Sequence, residues 1–407
     1  MLVPKLRFKR EAKTYYPEWS SQKLSAVASR VNRKNKGNIT DIPLTIASLY
    51  GLVDQREYFK KTIASQNMEG YYLLNNGEFA YNKSYSKGFD FGAIKRLDKY
   101  DCGALSTLYI CFAVNNKVNS DFMTHYFDSQ KWNKEVSIRC AEGARNHGLL
   151  NISTDDFFDI NIVLPTELEE QQKIAEFLST VDEVIMQSEA EVQKLEQQKK
   201  AAMQKIFSRE SRFKRDDGVE YPVWDDCILS DYCKELKTAI DPQKYPDDNF
   251  YEYSMPAFDV DKKPNSVLGR DMNSNRKIVS TSCVLINKLN VRKKRIWKVI
   301  NPAINSVCSA EFILVTSEKI SIDFLEHLAL SDSFTARLLD CSTGTSNSQK
   351  RVTPDIIMDM PVSIPCLEEQ QKIANFLSAF DEAIGYAKQE LEKWKELKKG
   401  LLQQMFV

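Results

Sequence analysis

Apolar residues recur every seven positions along two long stretches of this 407-residue chain. In the first stretch they form two rows, and the steps between the rows alternate between four and three residues. The rows are Ile174, Val181, Ser188, Leu195 and Ala202, and Leu178, Ile185, Val192, Lys199 and Ile206. This spacing predicts a long helix with an apolar seam that packs against another helix.

The second stretch is a copy of the first. Residues 164–185 and 364–384 both contain Glu-Glu-Gln-Gln-Lys-Ile-Ala, and the seven-residue pattern returns 199 positions later. Even the polar break in the seam recurs, because Lys398 stands where the first copy has Lys199. A match of this length indicates an internal duplication.

We expect the two helices to pair with each other in antiparallel orientation. The seam covers over four heptads in each copy, and a helix with such an apolar stripe needs a partner in water. Pro165 and Pro365 are predicted to start the helices, and Thr166 and Glu169 have the spacing of a capping box. The predicted pairing residues are Ile174, Leu178, Val181, Ile185, Leu195, Ile373, Leu377, Phe380, Ile384, Leu391 and Trp394. The alternative is that each helix packs on its own globular core.

Short apolar and aromatic runs, separated by clusters of Asn, Gly and Ser, predict strands and turns in the rest of the chain. Helices are predicted near residues 120–132 and 322–339. We therefore expect an α+β protein with an internal pseudo-two-fold repeat: two mixed α/β domains joined by two long antiparallel coiled-coil helices. The expected parts are a first body (residues 1–163), a first helix (164–210), a second body (211–363) and a second helix (364–407).

Both bodies begin with the same signature and close with a polar loop. Arg-Phe-Lys-Arg starts at Arg7 and again at Arg212, and each copy is followed by Tyr-Pro-x-Trp. We interpret this signature as a latch that anchors the start of each body. The polar loops, residues 143–148 and 342–351, precede the last predicted strand of each body. Between these landmarks the two bodies have diverged, whereas the helices have stayed alike.

Composition limits the possible classes of protein. Lys plus Arg and Asp plus Glu both number 56, so the chain has no net charge and local patches must carry any attraction for nucleic acid. The nine cysteines contain no Cys-x-x-Cys pair and suggest reduced residues of an intracellular protein. No signal region and no run of about 18 apolar residues is visible. These features predict a cytoplasmic protein.

Catalytic patterns are missing from the sequence. It contains no Gly-x-x-x-x-Gly-Lys phosphate loop and no Gly-x-Gly loop for a nucleotide. His125, His147 and His327 look isolated, and no metal-binding spacing emerges. We expect no catalysis, no metal and no cofactor in this chain alone.

The doubled helix motif, the doubled Arg-Phe…Tyr-Pro-x-Trp starts and the two-part organisation resemble the specificity subunits of type I restriction-modification systems. This resemblance covers essentially the whole chain. It implies two target-recognition domains, each reading one half of a split sequence in double-stranded DNA, and a helix pair that sets the gap between the halves. It also implies that two methyltransferase subunits dock on the helix ends and that restriction and translocase subunits join them. Methylation, endonuclease and ATPase activities would then belong to these partners. The alternative is a non-catalytic coiled-coil scaffold for protein interactions.

DNA recognition requires cations for phosphates and side-chain donors and acceptors for base edges. The polar loops and the basic run near residue 290 supply such groups in this chain, and Asn82-Lys83 corresponds to Asn287-Lys288. For any one of these residues the alternative is a solvated surface charge or an ordinary polar turn. The predicted DNA-binding residues are Asn82, Lys83, Arg145, Asn146, Asn287, Lys288, Arg292, Lys294, Arg295, Ser346, Asn347, Gln349, Lys350 and Arg351.

Overall fold

A computed structural model describes residues 2–10, 14–47, 51–59, 67–86, 88–140, 150–344 and 350–407 of the chain. The chain divides into two compact units. The first unit contains residues 1–189 and 389–407, and the second contains residues 190–388. Among the described helices, none combines the length and the apolar character needed to cross a bilayer.

The first unit is built from ten short strands, four short helices and parts of two long helices, counted over its described residues. Its strands are β1 (Ser20–Lys23), β2 (Ala28–Arg30), β3 (Leu44–Ala47), β4 (Gly51–Asp54), β5 (Tyr72–Asn75), β6 (Phe79–Asn82), β7 (Ala93–Arg96), β8 (Cys102–Leu105), β9 (Ile110–Val114) and β10 (Asn161–Leu164). Its short helices are α1 (Gln55–Phe59), α2 (Ser120–Asp128), α3 (Asn133–Arg139) and α4 (Thr154–Phe158). The first long helix, α5, runs from Leu168 to Phe207 and so continues into the second unit.

The second unit contains more strands. They are β11 (Asp225–Ile228), β12 (Lys234–Glu235), β13 (Ala239–Ile240), β14 (Asn249–Tyr253), β15 (Asn265–Leu268), β16 (Arg276–Ile278), β17 (Cys283–Asn287), β18 (Ile296–Val299), β19 (Ser306–Ser309), β20 (Phe312–Thr316) and β21 (Pro361–Ile364). The helices are α6 (Leu229–Tyr232), α7 (Met255–Val260), α8 (Ile322–Leu330), α9 (Asp332–Asp340) and α10 (Pro354–Met358). The second long helix, α11, runs from Leu367 to Met405 and ends in the first unit.

Each unit has a four-stranded antiparallel sheet that separates two hydrophobic cores. The strand order is β2-β9-β6-β7 in the first unit and β12-β20-β17-β18 in the second. Because side chains alternate along a strand, Phe79 and Tyr81 face the core beside the long helices, whereas Ala80 faces the outer core. Val284 and Ile286 face the inner core of the second unit in the same way, and Leu285 faces its outer core.

The long helices pack against each other in antiparallel orientation, as the repeat pattern predicted. In the first unit Asp182 and Glu189 of α5 form ion pairs with Lys398 and Lys395 of α11, so the numbers rise on one helix as they fall on the other. In the second unit the same geometry pairs Lys199 with Asp381 and Glu196 with Lys388.

The start of each seam also enters the core of a body. In the first unit Ile174 and Leu178 are buried together with Met405 and Phe406 from the end of α11. In the second, Ile373 and Leu377 are buried with Ile206 from the end of α5. Helix pairing and helix–body packing therefore use the same residues. Among the other predicted pairing residues, Val181, Ile384 and Leu391 are buried, and Ile185, Leu195, Phe380 and Trp394 are half-buried.

Two predictions about the extent of helices were wrong. The long helices begin at Leu168 and Leu367 instead of at the prolines, because the carbonyls of Pro165 and Pro365 accept hydrogen bonds from glutamine side chains of the first helical turns. The helix predicted over 322–339 is interrupted at Ser331, whose hydroxyl caps α9 by accepting from the Phe334 amide.

The predicted capping box at the start of α5 is also not formed. The carboxylate of Glu169 accepts a hydrogen bond from the Tyr16 hydroxyl and forms an ion pair with Lys173. It is therefore engaged with the domain-start signature rather than with Thr166.

Candidate nucleic-acid interface

A buried carboxylate at the start of each long helix holds the first segment of each body. In the first unit Glu170 is fully buried and accepts hydrogen bonds from the Arg7 guanidinium at 2.6 and 2.9 Å and from the Trp19 indole at 3.3 Å. Arg7 also donates to the carbonyl of Pro17. These hydrogen bonds to Glu170 raise the pKa of Arg7.

The second unit repeats this arrangement with equivalent residues. The fully buried Glu369 accepts from Arg212 at 2.6 and 3.2 Å and from the Trp224 indole at 3.0 Å. Arg212 donates to the carbonyl of Pro222 at 2.6 Å. The structure thus confirms that the Arg-Phe…Tyr-Pro-x-Trp signature is a latch, and it shows that the latch closes on the doubled Glu-Glu-Gln-Gln motif.

The next residue of that motif ties a body helix to the long helix. The Gln171 side chain accepts from the backbone N–H of Asn119, which caps α2. In the second unit Gln370 accepts from the N–H of Ser321 at the start of α8. In both copies the Glu and the Gln at this position each form a hydrogen bond that joins the body to the long helix. This shared role explains why both copies contain Glu-Gln here.

One hairpin in each body lies beside the closing segment of that body. In the first unit β6 and β7 form the hairpin, and the N–H of Leu150 donates to the carbonyl of Lys83 at 3.0 Å. In the second unit β17 and β18 form it, and the N–H of Val352 donates to the carbonyl of Lys288 at 3.1 Å. In both units the fold therefore places a residue that follows the polar loop, Leu150 or Val352, beside a hairpin that lies far away in sequence.

In the second unit the hairpin and the closing segment form one basic surface. The N–H of Asn290 donates to the carbonyl of Lys350 at 2.8 Å, and Leu289 forms an isolated bridge with Arg351. Arg292 is exposed and Lys288 and Lys350 are half-buried. Cationic side chains from both segments therefore lie at one end of the sheet.

Several predicted DNA-binding residues have internal partners. Lys294 forms an ion pair with Asp332 at 2.7 Å, and Arg295 forms a bidentate pair with Asp259. Arg351 pairs with Glu311 at 2.9 Å. Lys294 and Arg295 thus fix the hairpin to neighbouring elements.

Asn82 and Asn287, which correspond in the two bodies, form hydrogen bonds within their own hairpins. Asn287 is only 2% exposed; its amide donates to the carbonyl of Leu289 at 2.8 Å and its oxygen accepts from the Arg295 N–H at 3.1 Å. The prediction that Asn287 contacts DNA is therefore corrected: its side chain is buried, and both ends of its amide hold the shape of the hairpin. Asn82 is half-buried, and its oxygen accepts from the Ser84 N–H. Arg145, Asn146, Ser346, Asn347 and Gln349 lie outside the described residues.

A further pair of polar clusters was missed by the sequence reasoning, which treated His125 and His327 as isolated. His125 of α2 is hydrogen-bonded through Nε2 to the Ser179 hydroxyl at 3.1 Å, and His327 of α8 is bonded to Ser378 at 3.3 Å. The signal was available, because these histidines and serines correspond in the repeat. Burial is the main cause that lowers the pKa of both histidines, to about 4 for His327, so both rings are neutral at pH 7.

The described residues offer little reactive chemistry. Within them, no group of three or more His, Cys, Asp and Glu side chains is arranged to hold a metal ion. The nine cysteines are free thiols, and burial raises the pKa of Cys111, Cys233, Cys283 and Cys308 to about 12. Such thiols are protonated at pH 7 and are poor nucleophiles.

The duplicated helices and latches agree with a match to a known family. The profile described as "Type I restriction modification DNA specificity domain" matches residues 26–197 and 269–396, which together are well over half of the chain. The chain belongs to this family. It is a specificity subunit of a type I restriction-modification system, and family membership does not favour the alternative of a coiled-coil interaction scaffold.

Individual relatives agree with the family match. The chain is similar to the specificity subunit of the type I restriction enzyme MjaVIII from Methanocaldococcus jannaschii. The two are 26% identical over 326 residues, which are 74% of this chain and 72% of that protein.

Two solved structures share the fold. The type I restriction-modification S subunit from M. genitalium aligns over 100% of this chain and 99% of its own, with a TM-score of 0.56 and 13% identity. A chain from work on complex assembly and conformational transition of the type I R-M system aligns over 96% and 98%, with a TM-score of 0.58 and 14% identity. This specificity subunit thus has the expected two-domain fold with long helices.

Proposed function

We propose that the specificity subunit binds double-stranded DNA and that each body reads one half of a split, asymmetric sequence. The observation that carries this proposal is the interface built twice at the ends of the β6–β7 and β17–β18 hairpins. Each copy is held by the same hydrogen bond from the closing segment, yet its side chains differ. Two equivalent positions with unlike side chains suit two unlike half-sites.

We further propose that the paired helices α5 and α11 set the gap between the half-sites. Helix α5 has 40 residues and α11 has 39, so each is about 60 Å long. Repeated ion pairs along the seam, such as Lys199–Asp381 and Lys398–Asp182, support a defined register between the helices.

We infer that two methyltransferase subunits dock on two equal surfaces at the helix starts, and that methylation, endonuclease and ATPase activities reside in partner subunits. Support comes from a patch that occurs twice with identical side chains. Phe8 meets Phe177 edge-to-face at 5.6 Å, and Phe213 meets Phe376 at 5.5 Å. In each copy an arginine and a lysine flank one tyrosine, Tyr16 or Tyr221, at cation–π distance. A surface kept unchanged in both copies suits two copies of one partner.

The two proposed docking surfaces predict that one complex contains two methyltransferase subunits. Phe376→Asp should remove one of two methyltransferase copies, because a charge at this half-exposed aromatic contact opposes an apolar partner. Mass measurement of the reconstituted complex would detect the loss. Two copies retained in Phe376→Asp and in the Phe177→Asp, Phe376→Asp double variant would place the docking surface elsewhere.

The deciding experiment for DNA recognition is a map of methylated adenine in the native genome, with and without this gene. We expect one split motif with two unlike halves and a fixed gap to lose its methylation in the deletion strain. Exchange of residues 25–163 for those of a relative should then alter one half and leave the other intact. A change in both halves, or in neither, would contradict one body per half-site.

A further inference from the structure

The two interfaces carry very different charge. Residues 287–295 and 342–351 of the second body contain seven cations and no acid. The corresponding residues 82–92 and 141–150 of the first body contain three cations and two acids. The sequence therefore already separates a strongly basic interface from a nearly neutral one.

Internal ion pairs reduce this difference but leave it large. Lys294, Arg295 and Arg351 are paired with carboxylates of the same unit. Lys288, Arg292 and Lys350 have no carboxylate within ion-pair distance among the described residues. Lys293 is exposed and, together with Arg295, helps to lower the pKa of Asp259.

The free cations lie in one place because backbone hydrogen bonds join their two segments. The carbonyl of Lys288 accepts from Val352 and the carbonyl of Lys350 accepts from Asn290. We call Lys288, Arg292, Lys293 and Lys350 the hairpin patch. Phosphate contacts from such cations would fix the position of the body on the duplex without reading its sequence.

The described part of the first interface offers a different surface. Among the described residues of this interface, Lys83 is the cation, and the exposed Asp90 lies on the same hairpin. Tyr85 is 56% exposed and presents an aromatic side chain instead of a charge. Direct contacts of this kind with sugars or bases depend little on salt, whereas contacts between cations and phosphates release counterions.

We propose that the hairpin patch binds DNA phosphates and makes the second body the electrostatic anchor of the complex, so that the first body adds little to its salt dependence. This inference rests on the proposed function. The second body then supplies most of the sequence-independent affinity, and the first body reads its half-site from a duplex that is already held.

The test is DNA binding by the full chain at several salt concentrations. The probe is a mixed-sequence duplex long enough to cover both half-sites. The test variant is Lys288→Gln, Arg292→Gln, Lys350→Gln; Lys293 stays because it acts on Asp259, the partner of Arg295. The slope of log K against log salt should become shallower by about 2 to 3, since each lost phosphate contact removes about 0.9.

Two variants serve as controls. Lys234→Gln, Lys237→Gln, Lys319→Gln removes the same charge at the other end of the sheet, where Lys234 pairs with Thr316 while Asn287 pairs with Phe312. Its slope should stay within about 1 of the unmodified chain. Lys288→Arg, Arg292→Lys, Lys350→Arg keeps every charge and should keep the slope, which separates loss of charge from loss of structure.

The outcomes distinguish this inference from the proposed function. If the triple patch variant keeps the slope of the unmodified chain, or if the distant control changes the slope as much as the patch variant does, the second body is not the anchor although the chain binds DNA. If the unmodified chain and its reconstituted complex bind no duplex at any salt concentration, the proposed function itself fails. A shallower slope in the patch variant alone supports the anchor.

Discussion

The two bodies are alike where they meet the long helices and unlike on the opposite side. On the inner side both have a four-stranded antiparallel sheet, a latch on a buried glutamate and a histidine–serine contact to a long helix. On the outer side the first body has two separate two-stranded sheets, β3-β4 and β5-β8. The second has a five-stranded mixed sheet, β13-β16-β19-β14-β15, with one parallel pair.

This difference shows which contacts constrain a duplicated domain. The inner sides must fit helices of almost the same sequence, so the same side chains are retained at Glu170 and Glu369 and at Gln171 and Gln370. The outer cores pack only against their own body and can change as long as they stay apolar. Divergence is thus greatest where no repeated element has to be matched.

The largest expected effect is the loss of stability when the buried glutamate of either latch is removed, and it compares the two units. Glu170→Ala leaves the guanidinium of Arg7, whose side chain is 6% exposed, without its partner, and should destabilise the first unit by about 3–5 kcal/mol. Glu369→Ala should cost less, because the Arg212 side chain is 26% exposed and can regain water. Hydrogen exchange of core amides in each unit would measure both.

A matched control is Glu167→Ala. Glu167 pairs with Arg10 at the surface, where water screens the two charges, so its loss should cost much less stability than the loss of Glu170. Equal costs for Glu167→Ala and Glu170→Ala would mean that burial of the latch adds nothing to stability.

The next effect concerns pH. The folded pKa of His327 is about 4, below its ordinary value near 6.5, so the unfolded chain takes up this proton first as the pH falls. The stability from the neutral ring is complete above pH 6.5 and is lost between pH 6.5 and about 4, by up to about 1.4 kcal/mol per pH unit. His125, with its pKa lowered too, acts in the same direction.

The charged groups that act on His327 are Lys199, Asp381, Lys298 and Asp323. His125→Gln, His327→Gln should flatten the fall of the unfolding free energy in this pH window while these four groups remain. Denaturant unfolding at several pH values is the measurement. An unchanged pH profile would assign the dependence to the carboxylates.

A smaller effect separates the two hairpins. Gly92 has φ +79°, and a Cβ there would lie 2.1 Å from the Asn82 carbonyl oxygen and 2.9 Å from the Tyr81 ring. Gly92→Ala should therefore cost at least about 2 kcal/mol. The second hairpin turns through Asn290 at φ +53°, so Asn290→Gly should change stability by less than about 1 kcal/mol. Thermal unfolding of both variants would show whether the hairpins differ in this way.

The smallest expected effect is at the seam. Lys199→Asp brings two carboxylates together at Asp381 and should cost about 1 kcal/mol or less, since Asp381 is half-exposed. Adding Asp381→Lys should restore most of the loss. A double-mutant cycle, repeated for Lys398 and Asp182, would show equal coupling in the two units if the repeat is energetically symmetric.

The sequence predicted which segments belong to the candidate interface. It did not predict which of their side chains are exposed and which are buried or paired. The match of Asn82-Lys83 with Asn287-Lys288 pointed to the two hairpins beside which Leu150 and Val352 lie. It did not reveal that Asn287 is buried or that Lys294 and Arg295 are occupied by Asp332 and Asp259. Those acids lie 36 residues or more away in the chain, and no local pattern links them to the hairpin.

The sequence by itself determined the duplication, the long helices and their antiparallel pairing, because heptad spacing is a local signal and a repeat can be read without coordinates. Only the tertiary structure decided that the duplicated Glu-Glu-Gln-Gln motif receives the latch and binds the backbone at the start of a body helix. It also decided that hairpin and closing segment lie side by side, and that Lys288, Arg292 and Lys350 have no ion-pair partner among the described residues. These properties depend on residues distant in sequence, which become neighbours only when both cores are packed.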